Sequence, residues 1–118
     1  MKKLALLVSG SGTNMQAIMD ACASGEINGK ISVVISSNHE AYALVRAESA
    51  KIPNYVCCKK EFPSVEARDR EILRLLKEYD VDYVILAGYL GILSKFIIDE
   101  YPNRIVNIHP SLLPKFGG

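Results

Sequence analysis

The sequence predicts an α/β protein built on an open, mostly parallel, doubly wound sheet, and three observations predict it. Nearly unbroken aliphatic runs recur at residues 3–8, 31–36 and 81–87, the composition of strands covered on both faces. Between them lie stretches whose apolar residues follow helical spacing. A glycine-rich turn, Ser9-Gly10-Ser11-Gly12, joins the first run to the first such stretch. Alternation of strand and helix implies right-handed crossovers and parallel pairing.

Each element has its own grounds. After the first strand, Met15, Ile18, Met19 and Cys22 form the stripe of an amphipathic helix, with Thr13 or Gly12 as its N-cap and Gly25 as its stop. The second strand, 31–36, is followed by a weaker helical pattern over 41–51, carried by Leu44, Ala47 and Glu48. Residues 52–57 read as a short third strand, placed near an edge by Pro53. The third helix has the clearest pattern. Pro63-Ser64 opens it, and Val65, Ile72, Leu76 and Tyr79 line one face with Leu73 beside them. Most of Arg68, Asp69, Arg70, Arg74 and Lys77 are assigned to its solvated face. A fourth strand at 81–87, a loop at 88–93, a brief helix near 95–100 and a fifth strand at 104–107 complete the order. The sequence then stops in a loop, with nothing to cover one face of the fifth strand, so the sheet is expected to be truncated there.

Composition narrows the class. The 118 residues are 49% hydrophobic and 23% charged with formal net charge +1, as in one soluble globular domain. This balance offers no electrostatic case for nucleic acid or membrane partners. The basic start and its apolar segment are too short for a signal peptide, and no apolar run approaches the roughly 20 residues of a membrane span. Cys22, Cys57 and Cys58 lack CxxC spacing, which points to reduced thiols in a cytoplasmic protein. Cys57 and Cys58 read as strand packing and His39 as a solvated turn residue. His39 and His109 are too far apart in sequence to suggest a metal cluster.

Two motifs carry chemistry. In Ser9-Gly10-Ser11-Gly12-Thr13-Asn14, glycines admit a ligand to the backbone, and the free N–H groups at a helix start favour an anion. The loop lacks the Gly-Lys-Ser/Thr of a Walker A motif, and Met15 stands where a dinucleotide fingerprint needs its third glycine. The second strand ends in Ser36-Ser37-Asn38-His39, without the acidic residue that would grip a ribose diol, so a monophosphate is the better ligand. The competing reading is a turn that is merely tight. The second motif is Asn107-Ile108-His109-Pro110, where the fifth strand is expected to run out into a loop. Alternation places Asn107 and His109 on one face, an amide beside an imidazole that titrates near neutral pH. A strand end with a satisfied surface histidine is the competing reading there.

Taken together, Val8-Ser9-Gly10-Ser11-Gly12-Thr13-Asn14-Met15-Gln16-Ala17-Ile18, Leu86-Ala87-Gly88-Tyr89 and Asn107-Ile108-His109-Pro110-Ser111-Leu112-Leu113-Pro114 resemble the glycinamide ribonucleotide transformylases over the whole chain. The resemblance implies a Rossmann-like formyltransferase fold, of which residues 1–118 form a single nucleotide-binding portion. It implies formyl transfer from 10-formyltetrahydrofolate to the amine of glycinamide ribonucleotide in purine biosynthesis, without a metal. Residue by residue, it assigns Gly12, Thr13 and Asn14 to the substrate phosphate, and Gly88 and Pro110 to the glycinamide substrate. It assigns Leu90, Gly91, Ile92 and Leu93, with Asn107, to the folate, with Tyr89 packing beside them, and Asn107 and His109 to catalysis. It also suggests a cis Leu113–Pro114 bond.

Departures follow from the same resemblance. Many relatives carry arginines where this chain has Val65 and Gly91, near the folate's glutamate tail, which leaves Arg68 as the candidate to hold that tail. The family's catalytic aspartate falls beyond Gly118, so little or no transformylase activity is expected of these residues alone. Two other readings stand beside this one: a formyltetrahydrofolate hydrolase or other formyltransferase, and a non-catalytic nucleotide-phosphate binding module. An uncovered fifth strand would invite association, a homodimer among the options.

Overall fold

The structure, a computed structural model, describes residues 1–108. His109, Pro110 and the Leu113–Pro114 bond lie outside the described residues. Five parallel strands, β1 (Lys2–Val8), β2 (Gly29–Ser36), β3 (Asn54–Val56), β4 (Tyr83–Ala87) and β5 (Ile105–Ile108), form one sheet in the order β3-β2-β1-β4-β5. The helices are α1 (Thr13–Ser24), α2 (Tyr42–Ser49), α3 (Val65–Glu78) and α4 (Lys95–Glu100), with a 3₁₀ turn at Lys59–Glu61.

Strand alternation divides the apolar residues between two cores. Leu4, Leu6 and Val8 of β1 join Val34 and Ile85 under Met15 and Ile18 of α1 and Ala43 and Ala47 of α2. Ala5 and Leu7 join Val33, Ile35 and Val84 under Ile72, Leu75 and Leu76 of α3 and Ile97 of α4. β1 therefore lies at the centre, paired with β2 on one side and β4 on the other, with Leu6 in register with both Val34 and Ile85.

Several boundaries differ from the sequence reading, each for a local reason. β3 shortens to three residues because Pro53 has no N–H; its carbonyl accepts from Val34 N at 2.9 Å as the ladder begins. β4 starts at Tyr83 because the preceding residues close the end of α3. Asp80 is left-handed (φ 52), and Val81 N donates to Leu76 O at 3.2 Å. β5 extends through Ile108, so Asn107 is paired within the sheet, in register with Leu86, and does not sit in a loop.

The clearest correction falls on α3. Arg68 and Asp69, two of the five charged residues read as mostly solvated, are 4% and 0% exposed. The helix otherwise follows its pattern, and Ser64 caps it by accepting from Ala67 N at 3.0 Å. Ser64→Ala is expected to cost about 1 kcal/mol of stability, measured by urea unfolding.

Candidate functional site

The strand order reverses between β1 and β4: the chain winds outward through β2 and β3, then returns to β4 on the other side of β1. In open α/β sheets the crevice beyond the strands' carboxyl ends at such a point is where ligands bind. Here a cavity of about 300 Å³ opens there, lined by residues 10–14 with Ala87 and Gly88. The glycine-rich turn and the residue after β4 thus meet in one place, as two of the sequence motifs require.

The turn is held from behind by α2. Ala43 N donates to Gly10 O at 3.1 Å, and Arg46 Nε donates to Ser11 O at 2.9 Å. Gly12 O accepts from Gln16 N at 2.8 Å as the first helical bond of α1. With these carbonyls engaged, the opening N–H groups of α1, which have no intrahelical partner, are the donors the turn can offer. Gly12 is the N-cap, left-handed at φ 81 and ψ 20, with no side-chain cap. It is buried against α2: a Cβ there would lie 2.8 Å from the Ala43 Cα. Thr13 is exposed and Asn14 half-buried, and the Asn14 amide stands 3.8 Å from where a Cβ at Gly88 would be. Gly88, at φ 75, takes a conformation that side chains resist.

Asn107 reaches the same carboxyl edge from β5. It is exposed and, by alternation, shares a face with Ile105, which packs on the α3–α4 core. The loop from β4 to α4 lies on that side too. Its Leu90 and Ile92 are 86% and 87% exposed, whereas Leu93 is buried in the core and Gly91 is half-buried against Tyr89. Of the four folate-assigned loop residues, two are free to touch a ligand and two hold the loop. His109 and Pro110 fall outside the described residues.

Arg68 cannot grip a folate tail. Its Nε donates to Asp69 Oδ1 at 2.8 Å and its Nη2 to Ile92 O at 3.2 Å, below the surface. Asp69 Oδ2 accepts from Ser94 N at 2.7 Å, at the start of α4. The pair is therefore an internal brace between α3 and the 88–94 loop. Ser9 braces the same loop from β1, its Oγ accepting from Leu90 N at 2.8 Å and lying 2.6 Å from Ser37 Oγ. Sequence reasoning missed Arg46, Ser9 and this pair as site-supporting residues, because their partners are backbone groups far along the chain.

Other groups take ordinary places. Burial, with Glu71 adding to it, pushes the buried Cys57 thiol up to about 11, which suits packing and not nucleophilic chemistry. His39 is exposed, and its Nε2 lies 2.7 Å from Glu61 Oε1. A larger cavity of about 630 Å³ lies at the opposite, amino edge of the sheet, among Lys3, Lys30, Lys51 and Asp80. It is a surface recess between charged side chains, and the switch point, with its convergent backbone donors, is the better ligand site. Among the described residues no group of three or more His, Cys, Asp or Glu is placed to hold a metal ion, and no helix is long and apolar enough to cross a membrane.

Comparison with known proteins gives the family. The formyl transferase family matches residues 2–118. The phosphoribosylglycinamide formyltransferase of Haemophilus influenzae is 48% identical over 118 residues, covering 100% of this chain and 56% of that protein. The Escherichia coli protein of the same name is 43% identical over 98% of this chain and 54% of its own length. Among solved structures, glycinamide ribonucleotide transformylase 1 from Geobacillus kaustophilus superposes with a TM-score of 0.89 at 42% identity, over 100% of this chain and 63% of that one. The chain thus spans about half the length of the relatives it matches.

Proposed function

The chain belongs to the formyl transferase family, and from that premise we propose that residues 1–118 are the nucleotide-binding portion of a phosphoribosylglycinamide formyltransferase. The observation that carries this reading is the cavity of about 300 Å³ at the switch point, lined by the start of α1, with Asn14, and by Gly88. Its backbone donors suit a ribose phosphate held by Gly12, Thr13 and Asn14. Gly88 then stands beside the glycinamide arm, a role the resemblance extends to Pro110.

In the proposed reaction the glycinamide amine attacks the formyl carbon of 10-formyltetrahydrofolate, and negative charge develops on the formyl oxygen. Asn107 donates a hydrogen bond to that oxygen. A protonated His109 stabilises the same charge. As the bond from carbon to the folate nitrogen breaks, His109 relays the proton released by the amine to that nitrogen. Leu90 and Ile92 offer exposed apolar surface to the folate ring, and holding both substrates in one crevice supplies orientation. The chemistry asks for no metal, no nucleic acid and no membrane, and a cytoplasmic setting fits it. A hydrolase is less well supported, since attack by water needs no cradle for a ribose phosphate.

Thermal unfolding with added ligands tests the assignment. Glycinamide ribonucleotide at a hundred times its Kd is expected to raise stability by about 2.7 kcal/mol, seen as a higher Tm. A reduced folate is expected to raise Tm as well, which a bare phosphate-binding module would not show. A rise with NAD and none with glycinamide ribonucleotide would overturn the reading.

A further inference from the structure

We propose that Arg68 and Asp69 are positioning residues that fix the backbone of the loop between β4 and α4 so that Leu90 and Ile92 stand ready for a flat heteroaromatic ligand. The inference rests on the reading that this loop faces a reduced folate. Burying an ion pair seldom adds stability over apolar residues of similar size, so a pair at 5% and 0% side-chain exposure calls for another explanation. Its remaining hydrogen-bonding capacity supplies one. Asp69 takes the N–H of Ser94, and Arg68 gives to the carbonyl of Ile92. Ser9, from the end of β1, takes the N–H of Leu90.

At alternate residues, 90, 92 and 94, the loop is thereby held by hydrogen bonds to its backbone. The side chains of Leu90 and Ile92 remain almost fully in solvent, while Leu93 between them is buried. Gly91 closes the arrangement, because a Cβ there would come 2.7 Å from Cε2 of Tyr89. An exposed apolar pair on a loose loop would lose much of its binding energy to ordering; on a braced backbone that loss is already met.

The test uses Arg68→Lys, which keeps a cation beside Asp69 but lacks the fork that reaches two acceptors, together with Asp69→Asn. Circular dichroism first confirms that each variant is folded. Amide hydrogen exchange at Leu90 and Ser94 is expected to quicken about tenfold in Arg68→Lys, while Ala43, which braces the phosphate loop, keeps its rate. Calorimetry with folinic acid, a stable reduced folate, is expected to show a Kd raised about tenfold, with the Kd for glycinamide ribonucleotide unchanged. Unchanged exchange in a folded variant overturns the proposal. So does a parallel loss of both affinities, which would mark general loosening. If the parent chain itself fails to bind folinic acid, the functional reading beneath the proposal fails; unchanged affinity in variants of a parent that does bind overturns the positioning role alone.

Discussion

Asp69→Ala is expected to destabilise the fold by about 3–5 kcal/mol, lowering Tm by roughly 15 °C. The carboxylate is wholly buried on α3, and two groups depend on it: the Arg68 guanidinium and the Ser94 N–H. Alanine leaves a cation inside the protein with no counter-charge, and an N–H at the start of α4 with no acceptor. Breaking one side of a buried pair is far more damaging than replacing both sides. The double variant Arg68→Met/Asp69→Leu is therefore expected to recover most of the stability while leaving the 88–94 loop unbraced. Urea unfolding of the parent, the single and the double variant checks this. A single variant within about 1 kcal/mol of the parent would show that water reaches the pair and compensates it.

Gly12→Ala is the second large effect, expected to cost about 3 kcal/mol and to abolish phosphate binding. Two penalties coincide at this residue. Its backbone is left-handed at φ 81, where a Cβ meets its own carbonyl. That Cβ would also fall 2.8 Å from the Cα of Ala43 and 2.9 Å from its Cβ. A backbone atom cannot rotate aside, so α1 would have to move away from α2 and carry the mouth of the phosphate loop with it. Gly10, in the same loop, is the natural control. Nothing lies within 4 Å of a Cβ placed there, and Gly10→Ala is expected to fold with near-parent stability. Urea unfolding and a glycinamide ribonucleotide titration of both variants separate the two cases. Equal behaviour at the two glycines would contradict the packing argument.

The fold was legible wherever burial leaves a continuous mark. The aliphatic runs named the central strands, and Pro53 placed β3 at an edge. The place of the turn after β1, at the mouth of a cavity beside Gly88, was legible because glycine and helix-start signals are local. Boundaries set by backbone hydrogen bonds were not legible: Val81 is as apolar as a strand residue, yet it closes α3 behind a left-handed Asp80. Arg68 and Asp69 were misread for a related reason. Charge on a helix ordinarily means solvent, and nothing near them in sequence shows that Ile92 and Ser94 supply their partners. Arg46 lies in a weakly patterned helix, and its task is to hold one carbonyl of a distant loop. Sequence carries side-chain periodicity well and carries such brace contacts poorly.

The most direct test of the central claim, that these residues hold a ribose phosphate at the switch point, is a calorimetric titration with glycinamide ribonucleotide, run on the parent chain and on Asn14→Ala. The expected result is saturable binding by the folded parent, weakened at least about tenfold when the Asn14 amide is removed. A folded parent that does not bind, or binding that is indifferent to Asn14, would contradict it.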